Sequence, residues 1–190
     1  MGAWASRGGN APIVFLDVDG VLNTEDTRCR IGGDLDRELI GHLLHIVRST
    51  KAAIVLSTTW RLTPGLEQRV RRALVTQGIP DPIGATPDLS LTGDRVDEIL
   101  QWLADNAEAE AARARSRPRS RSRAQAPGQA QAQAGAAFVA IDDLALTQMN
   151  SRLSEHHFVR TSDAEGLTLA KADEAIRKLQ AQLAAGGGTS

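Results

Sequence analysis

The feature that most restricts this fold is the alternation of short, wholly apolar runs with longer stretches of helical period. "PIVFLD", "AAIVLS" and "AAFVAID" are unbroken apolar runs up to their last residue, and "PIGAT" and "HHFVRT" are weaker runs of the same kind. A strand that is apolar at every position has to be covered on both faces, which is the environment of a parallel sheet. Between these runs lie amphipathic segments. "DLDRELIGHLLHIVRS" puts Leu35, Leu39, Leu43 and Ile46 on one helical face, and "TPGLEQRVRRALVTQG" does the same with Leu66, Val70 and Leu74. The second has Thr63 as N-cap, Pro64 at its first position and Gly78 just past its end, the order that starts and stops a helix. "DRVDEILQWLADN" follows, with Asp94 as cap and Val96, Ile99, Leu100 and Leu103 inward. "TLAKADEAIRKLQAQLA" closes the pattern with Leu169, Ala172, Ile176, Leu179 and Leu183 on one side. Five strands alternating with helices predict a single doubly wound, three-layer α/β/α domain over residues 12–184, with a five-stranded, mainly parallel sheet. Residues 1–11 and 185–190 read as flexible ends.

Charge shows what does not belong to that pattern. The 190 residues carry a net charge of −1, but six arginines, Arg113, Arg115, Arg117, Arg119, Arg121 and Arg123, have no acid among them. Setting these six of the 22 basic residues aside leaves 16 against 23 acidic ones, a charge of −7. The domain itself is therefore acidic, which argues against general nucleic-acid affinity. The arginines lie in a segment, 107–135, whose Ala/Glu start can extend the preceding helix and whose remainder is Arg/Ser and Ala/Gln/Gly low complexity. Such a composition buries too little apolar surface to offset its ordering entropy, so the segment reads as a disordered insert. It is either a tolerated surface loop or a tether able to contact nucleic acid weakly through residues 113–123.

A single cysteine, Cys29, excludes an internal disulfide and suits a reducing compartment, cytoplasmic or nuclear. No apolar run approaches the roughly 20 residues of a membrane span. Gly2 with Ser6 fits the loose N-myristoylation pattern, for which a frayed terminus is the plainer reading.

Polar residues gather where the apolar runs end. The first run gives Asp17 and Asp19, the second Ser57, Thr58 and Thr59, the fourth Asp142 and Asp143. In an open parallel sheet the carboxyl ends of the strands share one edge, where ligands bind. Four carboxylates on one edge repel at neutral pH, and a hard, oxygen-seeking cation such as Mg2+ resolves the repulsion. A helix–loop–helix calcium loop is a poor alternative, because Gly20 comes three positions after Asp17 and not five. Asp-Gly alone is an ordinary turn signal. The second acidic pair is what makes that reading insufficient.

"FLDVDGVLN" resembles the first motif of the haloacid dehalogenase-like (HAD) hydrolases, DxDx[TV][LV] after a buried strand. "IVLST" is similar to the second motif and "VAIDD" to the fourth. The strings "LSTTWR", "GATPDL", "RVDEILQWL", "VAIDD" and "GLT" resemble the small HAD domains associated with RNA-repair proteins. The resemblance implies a Rossmann-like domain and a Mg2+-dependent phosphatase. Asp17 would form an aspartyl-phosphate, and Asp19 would act as general acid and base. Ser57, or Thr58 one residue on, would bind the phosphoryl group, and Gly20 would let the chain turn beside it. The metal would be held by Asp17, the main-chain carbonyl of Asp19, and Asp142, with Asp143 direct or one step removed. The family's third motif supplies a Lys, yet this chain has only Lys51, Lys171 and Lys178, none between the second and fourth motifs. Arg95 stands where that Lys is expected, and Arg61 is a second candidate cation for substrate binding.

Plainer roles fit other residues. Trp60 and Trp102 read as core, His156 and His157 as strand-edge residues, and Cys29 as an incidental thiol. The connections at 24–34 and 62–94 are too short for a cap domain. An open cleft suits a large phosphorylated substrate, such as a nucleic-acid end or a phosphoprotein. The alternative is a non-catalytic binding module of the same fold whose Arg/Ser segment contacts RNA or a protein. A receiver-like phosphoacceptor is disfavoured, because Asp19 would then have no purpose.

Overall fold

The apolar runs form the strands. A computed structural model, which describes residues 11–31, 35–116 and 136–186, has β1 at Ile13–Leu16, β2 at Ala53–Leu56, β3 at Gly84–Ala85, β4 at Phe138–Asp142 and β5 at Phe158–Arg160. The sheet order is β3-β2-β1-β4-β5, and every neighbouring pair is parallel. Leu16 lies level with Leu56 on one side and with Ile141 on the other. The next residues, Asp17, Ser57 and Asp142, therefore emerge side by side at one edge. The chain winds one way from β1 and the other way from β4, so this edge is also the topological switch point.

The helices are α1 (Glu25–Ile31), α2 (Arg37–Thr50), α3 (Pro64–Thr76), α4 (Arg95–Ser116), α5 (Leu146–Met149) and α6 (Leu169–Gly186). Strand side chains alternate between two cores. Val14, Leu16, Ile54, Leu56, Val139 and Ile141 pack against α2, α3 and α6. Ile13, Phe15, Val55, Phe138 and Ala140 pack against α4 and α5. Phe15 anchors the second core, with the rings of Trp102 and Phe138 edge-on to it at 5.4 and 5.7 Å. The expected three-layer α/β/α, Rossmann-like architecture is what forms, and Trp102 is a core residue as read.

Three details differ from the sequence reading. Residues 25–31 form α1, a helix of sequence EDTRCRI that has no apolar face to announce it. Helix α4 continues to Ser116: the Ala/Glu start of the segment extends it, as the sequence allows, and so do residues 113–116, which read as low complexity. Leu169 is half exposed and does not share the buried face of α6. The expectations placed on residues 1–10, 117–135 and 187–190 lie outside the described residues. Among the described residues, only α1 comes between β1 and α2, and only a 3-10 turn (Thr59–Leu62) and α3 come between β2 and β3. No described helix is long and apolar enough to cross a membrane.

Helix α4 starts at the carboxyl edge and is capped there. Asp94 Oδ1 accepts the N–H groups of Val96 (2.8 Å) and Asp97 (3.0 Å), and Asp97 Oδ2 accepts that of Asp94 (3.1 Å). This reciprocal capping box satisfies donors that the first turn otherwise leaves unpaired. Asn150 Nδ2 donates to Asp94 Oδ2 at 3.1 Å, tying the cap to the chain beyond α5. Replacing the cap, Asp94→Ala, is expected to cost about 1–2 kcal/mol, read as a lower urea midpoint with an unchanged slope. An unchanged midpoint would show that the cap contributes nothing.

Candidate active site

The first acidic residue enters the edge on a strand that stops abruptly. The Val18 carbonyl accepts the N–H groups of Val21 (3.1 Å) and Leu22 (2.8 Å), so the chain turns at once. Gly20 holds this turn at φ +69°, and a Cβ there would lie 2.7 Å from Cβ and Cγ of Asp143. Glycine is thus required both by its backbone angle and by the close approach of the β4 loop. The space that its missing Cβ leaves is filled by Asp143.

Asp17, Asp142 and Asp143 form one cluster, with a carboxylate oxygen of each within 4.8 Å of the others. Asp17 and Asp142 are buried. Burial and the neighbouring Asp17 push the Asp142 carboxyl up to about 8 from an ordinary 3.8, with Arg95 and the Leu144 N–H acting the other way. Burial likewise raises Asp17, against the pull of Arg95, the Val18 N–H and the Thr58 hydroxyl. Asp19 lies outside this cluster, so any part it takes in holding a metal is through its main chain.

Arg95, on the first turn of α4, reaches into the cluster. Its Nη1 lies 3.1 Å from Asp142 Oδ2 and 3.4 Å from Asp17 Oδ2, and it also donates to the Ser57 carbonyl. Burial works against the guanidinium charge, but Asp17, Asp142 and Glu98 outweigh it and hold the pKa above its usual value. The residue expected to replace the family's Lys is therefore at the acids. One guanidinium cannot balance all three acids in their ionised form, so full ionisation needs a further positive charge. The donor set, hard oxygens on a compact edge, suits a divalent cation, and the buried Ser57 Oγ beside it has no hydrogen-bond partner.

The two hydroxyl candidates separate. The Thr58 side chain bonds to Asp17, and its Oγ1 accepts the Trp60 main-chain N–H at 3.4 Å. Ser57 instead contributes its carbonyl to Arg95.

Arg61 does not serve as the second cation of the site. Its guanidinium donates to the carbonyls of Thr58 (2.6 Å), Thr86 (3.0 Å) and Pro87 (2.9 Å), and it pairs with Glu98 at 2.7 Å with both side chains buried. With its donors spent on main chain and Glu98, it braces the loops after β2 and β3 against α4. In this structure the guanidinium expected at a substrate is engaged within the fold.

Asp19 is held by residues to which the sequence reading gave no functional role. The indole Nε1 of Trp60 donates to its Oδ2 at 2.8 Å, and Asn23 Nδ2 donates to its Oδ1 at 2.9 Å. Arg28 Nη1 donates to Asn23 Oδ1 at 2.9 Å, and its Nη2 grips both oxygens of Asp163 at 2.6 and 2.7 Å. Trp60 is buried as read, but it also does polar work. The available signal was that a buried indole N–H needs an acceptor. His157 stacks on Phe138 at 4.2 Å, away from these acids, as a strand-edge residue would.

The family described as the HAD domain in Swiss Army Knife RNA repair proteins matches residues 13–172. No curated protein and no solved structure matches the chain.

The raised Asp142 fixes the sign of a pH effect. A carboxyl that holds its proton more tightly when folded subtracts stability as pH rises from about 4 toward about 8. In chelator, the melting temperature is expected to fall across that window. Asp142→Asn should melt a few degrees higher than the parent at pH 8, and if added Mg2+ raises the melting temperature of the parent it should not raise that of the variant. A variant less stable than the parent at pH 8 in chelator would contradict this account.

Proposed function

The chain belongs to the family of HAD domains in Swiss Army Knife RNA repair proteins, and on that premise we propose that it is a Mg2+-dependent phosphatase acting through an aspartyl-phosphate on Asp17. The observation that carries this reading is the buried Asp17 carboxylate, clustered with Asp142 and Asp143 and faced by Arg95. In the first half-reaction a carboxylate oxygen of Asp17 attacks phosphorus. The bond from phosphorus to the ester oxygen breaks, and Asp19 gives that oxygen its proton to release an alcohol. In the second, water attacks the aspartyl-phosphate and passes a proton to Asp19, releasing inorganic phosphate and restoring Asp17.

Arg95 would carry the charge on the transferring phosphoryl oxygens, and Thr58 would orient Asp17 through its hydroxyl bond. Ser57 Oγ, buried without a partner, is the hydroxyl left over for the phosphoryl group. A bound divalent cation would neutralise the carboxylates and draw charge from the phosphoryl oxygens, held by Asp17, Asp142, Asp143 and the Asp19 carbonyl.

The substrate we favour is a phosphate monoester on a large molecule, a nucleic-acid end before a phosphoprotein. No cap stands over the site among the described residues, so a bulky substrate can reach it. The arginines at 113–123 would help such a nucleic acid to bind.

Hydrolysis of p-nitrophenyl phosphate should require Mg2+, stop in chelator, and fall by about 1,000-fold or more in Asp17→Asn. Turnover that survives this substitution would remove the aspartyl-phosphate from the account. A panel of 3′- and 5′-phosphorylated oligonucleotides alongside a phosphopeptide identifies the substrate class.

A further inference from the structure

We propose that Trp60 and Asn23 are positioning residues for Asp19, holding its carboxyl group where it can pass a proton to the departing ester oxygen. The inference rests on the phosphatase reading above. A carboxyl group turns easily about its last torsion, which is broad and nearly two-fold. A donor on each oxygen removes that freedom, and Asp19 has one on each: the Trp60 indole on Oδ2 at 2.8 Å and the Asn23 amide on Oδ1 at 2.9 Å.

Each donor is itself fixed. Trp60 is buried in the core, and its main-chain N–H goes to the Thr58 hydroxyl. Asn23 is fully buried, and its Oδ1 accepts the Gly20 N–H at 3.2 Å and Arg28 Nη1 at 2.9 Å. With its oxygen claimed twice, the amide has to turn its NH2 toward Asp19. Arg28 is fixed in turn by the two bonds to Asp163, so the orientation of Asp19 is anchored as far away as the loop after β5.

The clamp leaves the chemistry free. A carboxylate has about four acceptor sites, two on each oxygen, and the clamp uses one on each. The remaining sites can hold the proton and meet the ester. The Asp19 side chain is 44% exposed, so it is gripped from the protein side and open on the other.

Leaving-group chemistry separates positioning from mere support of the fold. As the bond from phosphorus to the ester oxygen breaks, its electron pair goes to that oxygen. A nitrophenolate can leave with the pair unprotonated, whereas an alkoxide needs the Asp19 proton. The ratio kcat/KM reports this half-reaction alone, since it ends when the alcohol departs. The experiment compares the full-length protein with Trp60→Phe and Asn23→Asp on p-nitrophenyl phosphate and on an alkyl phosphate, with Mg2+ present. Trp60→Phe keeps a ring and removes the donor. Asn23→Asp keeps the size and both acceptor bonds, and it replaces the donor with a carboxylate oxygen that repels Asp19, so it breaks the clamp without emptying the site and carries the test if the first variant is unstable. For each, kcat/KM on the alkyl ester should fall about 10- to 100-fold further than on the nitrophenyl ester. Equal losses on both esters, or no loss on either, would overturn the positioning role and leave the phosphatase reading standing. A wild-type protein inactive on both esters would overturn that reading and the positioning role with it.

Discussion

Everything at the carboxyl edge follows from a repulsion that the sheet cannot relieve. Register places Leu16 level with Ile141, so Asp17 and Asp142 leave adjacent central strands at the same height. Moving them apart would shift Leu16, Val14, Ile141 and Val139 out of a fully buried core. A one-residue slip would also send every strand side chain to the wrong face. The acids therefore stay together, and burial first, with the neighbouring Asp17 second, holds the Asp142 carboxyl above its ordinary pKa. The protein's own answer is Arg95. It reaches both acids because α4 begins at this edge, capped by Asp94, with Glu98 beside it.

Glu98 explains why two arginines that look alike in the sequence have unlike roles. It lies 2.7 Å from Arg61 and 4.0 Å from Arg95, and is itself buried. An unpaired buried carboxylate would be costly, and Arg61 is what pairs it. Arg61 also donates to the Thr86 and Pro87 carbonyls beyond β3, and to the Thr58 carbonyl, which takes its main-chain N–H as well. Its removal would leave a buried charge and orphaned acceptors, which is a loss to the fold before it is a loss to any substrate. Arg95 faces no such surplus of carbonyls, and the acids are its main partners.

What could be read from the sequence was whatever depended on one element at a time. Apolar runs gave the strands, and their ends gave Asp17, Ser57, Thr58, Asp142 and Asp143. The position of Arg95 at a helix start brought it to the same edge. What could not be read depended on which loops meet. Asn23, Trp60 and Arg28 converge on Asp19 from the turn after β1, the turn after β2 and α1. No periodicity records such a meeting. Helix α1 was missed for a related reason, since it is held by polar contacts such as Arg28 to Asp163 and not by an apolar stripe. Gly20 was correctly taken as a tight turn, but its neighbour Asp143 comes from a strand more than a hundred residues away.

The path of α4 bears on the arginine-rich segment as well. The helix spans 22 residues from Arg95, which puts its far end about 32 Å from the acids at 1.5 Å per residue. Arg113 and Arg115 belong to its last turns, and β4 resumes at Phe138 on the same far edge. The segment is thus rooted at the amino edge of the sheet, opposite the site. The helix end lies several Debye lengths from Asp17 at physiological salt, where one such length is about 8 Å, whereas the β4 end, level with Ile13, lies roughly 13 Å from it. Any effect of charge at the helix end on a nucleic acid would be one of capture, expressed in how often a substrate arrives. On the phosphatase reading proposed above, the cleavage step would fall to Asp17, Asp19, Arg95 and the residues that hold them.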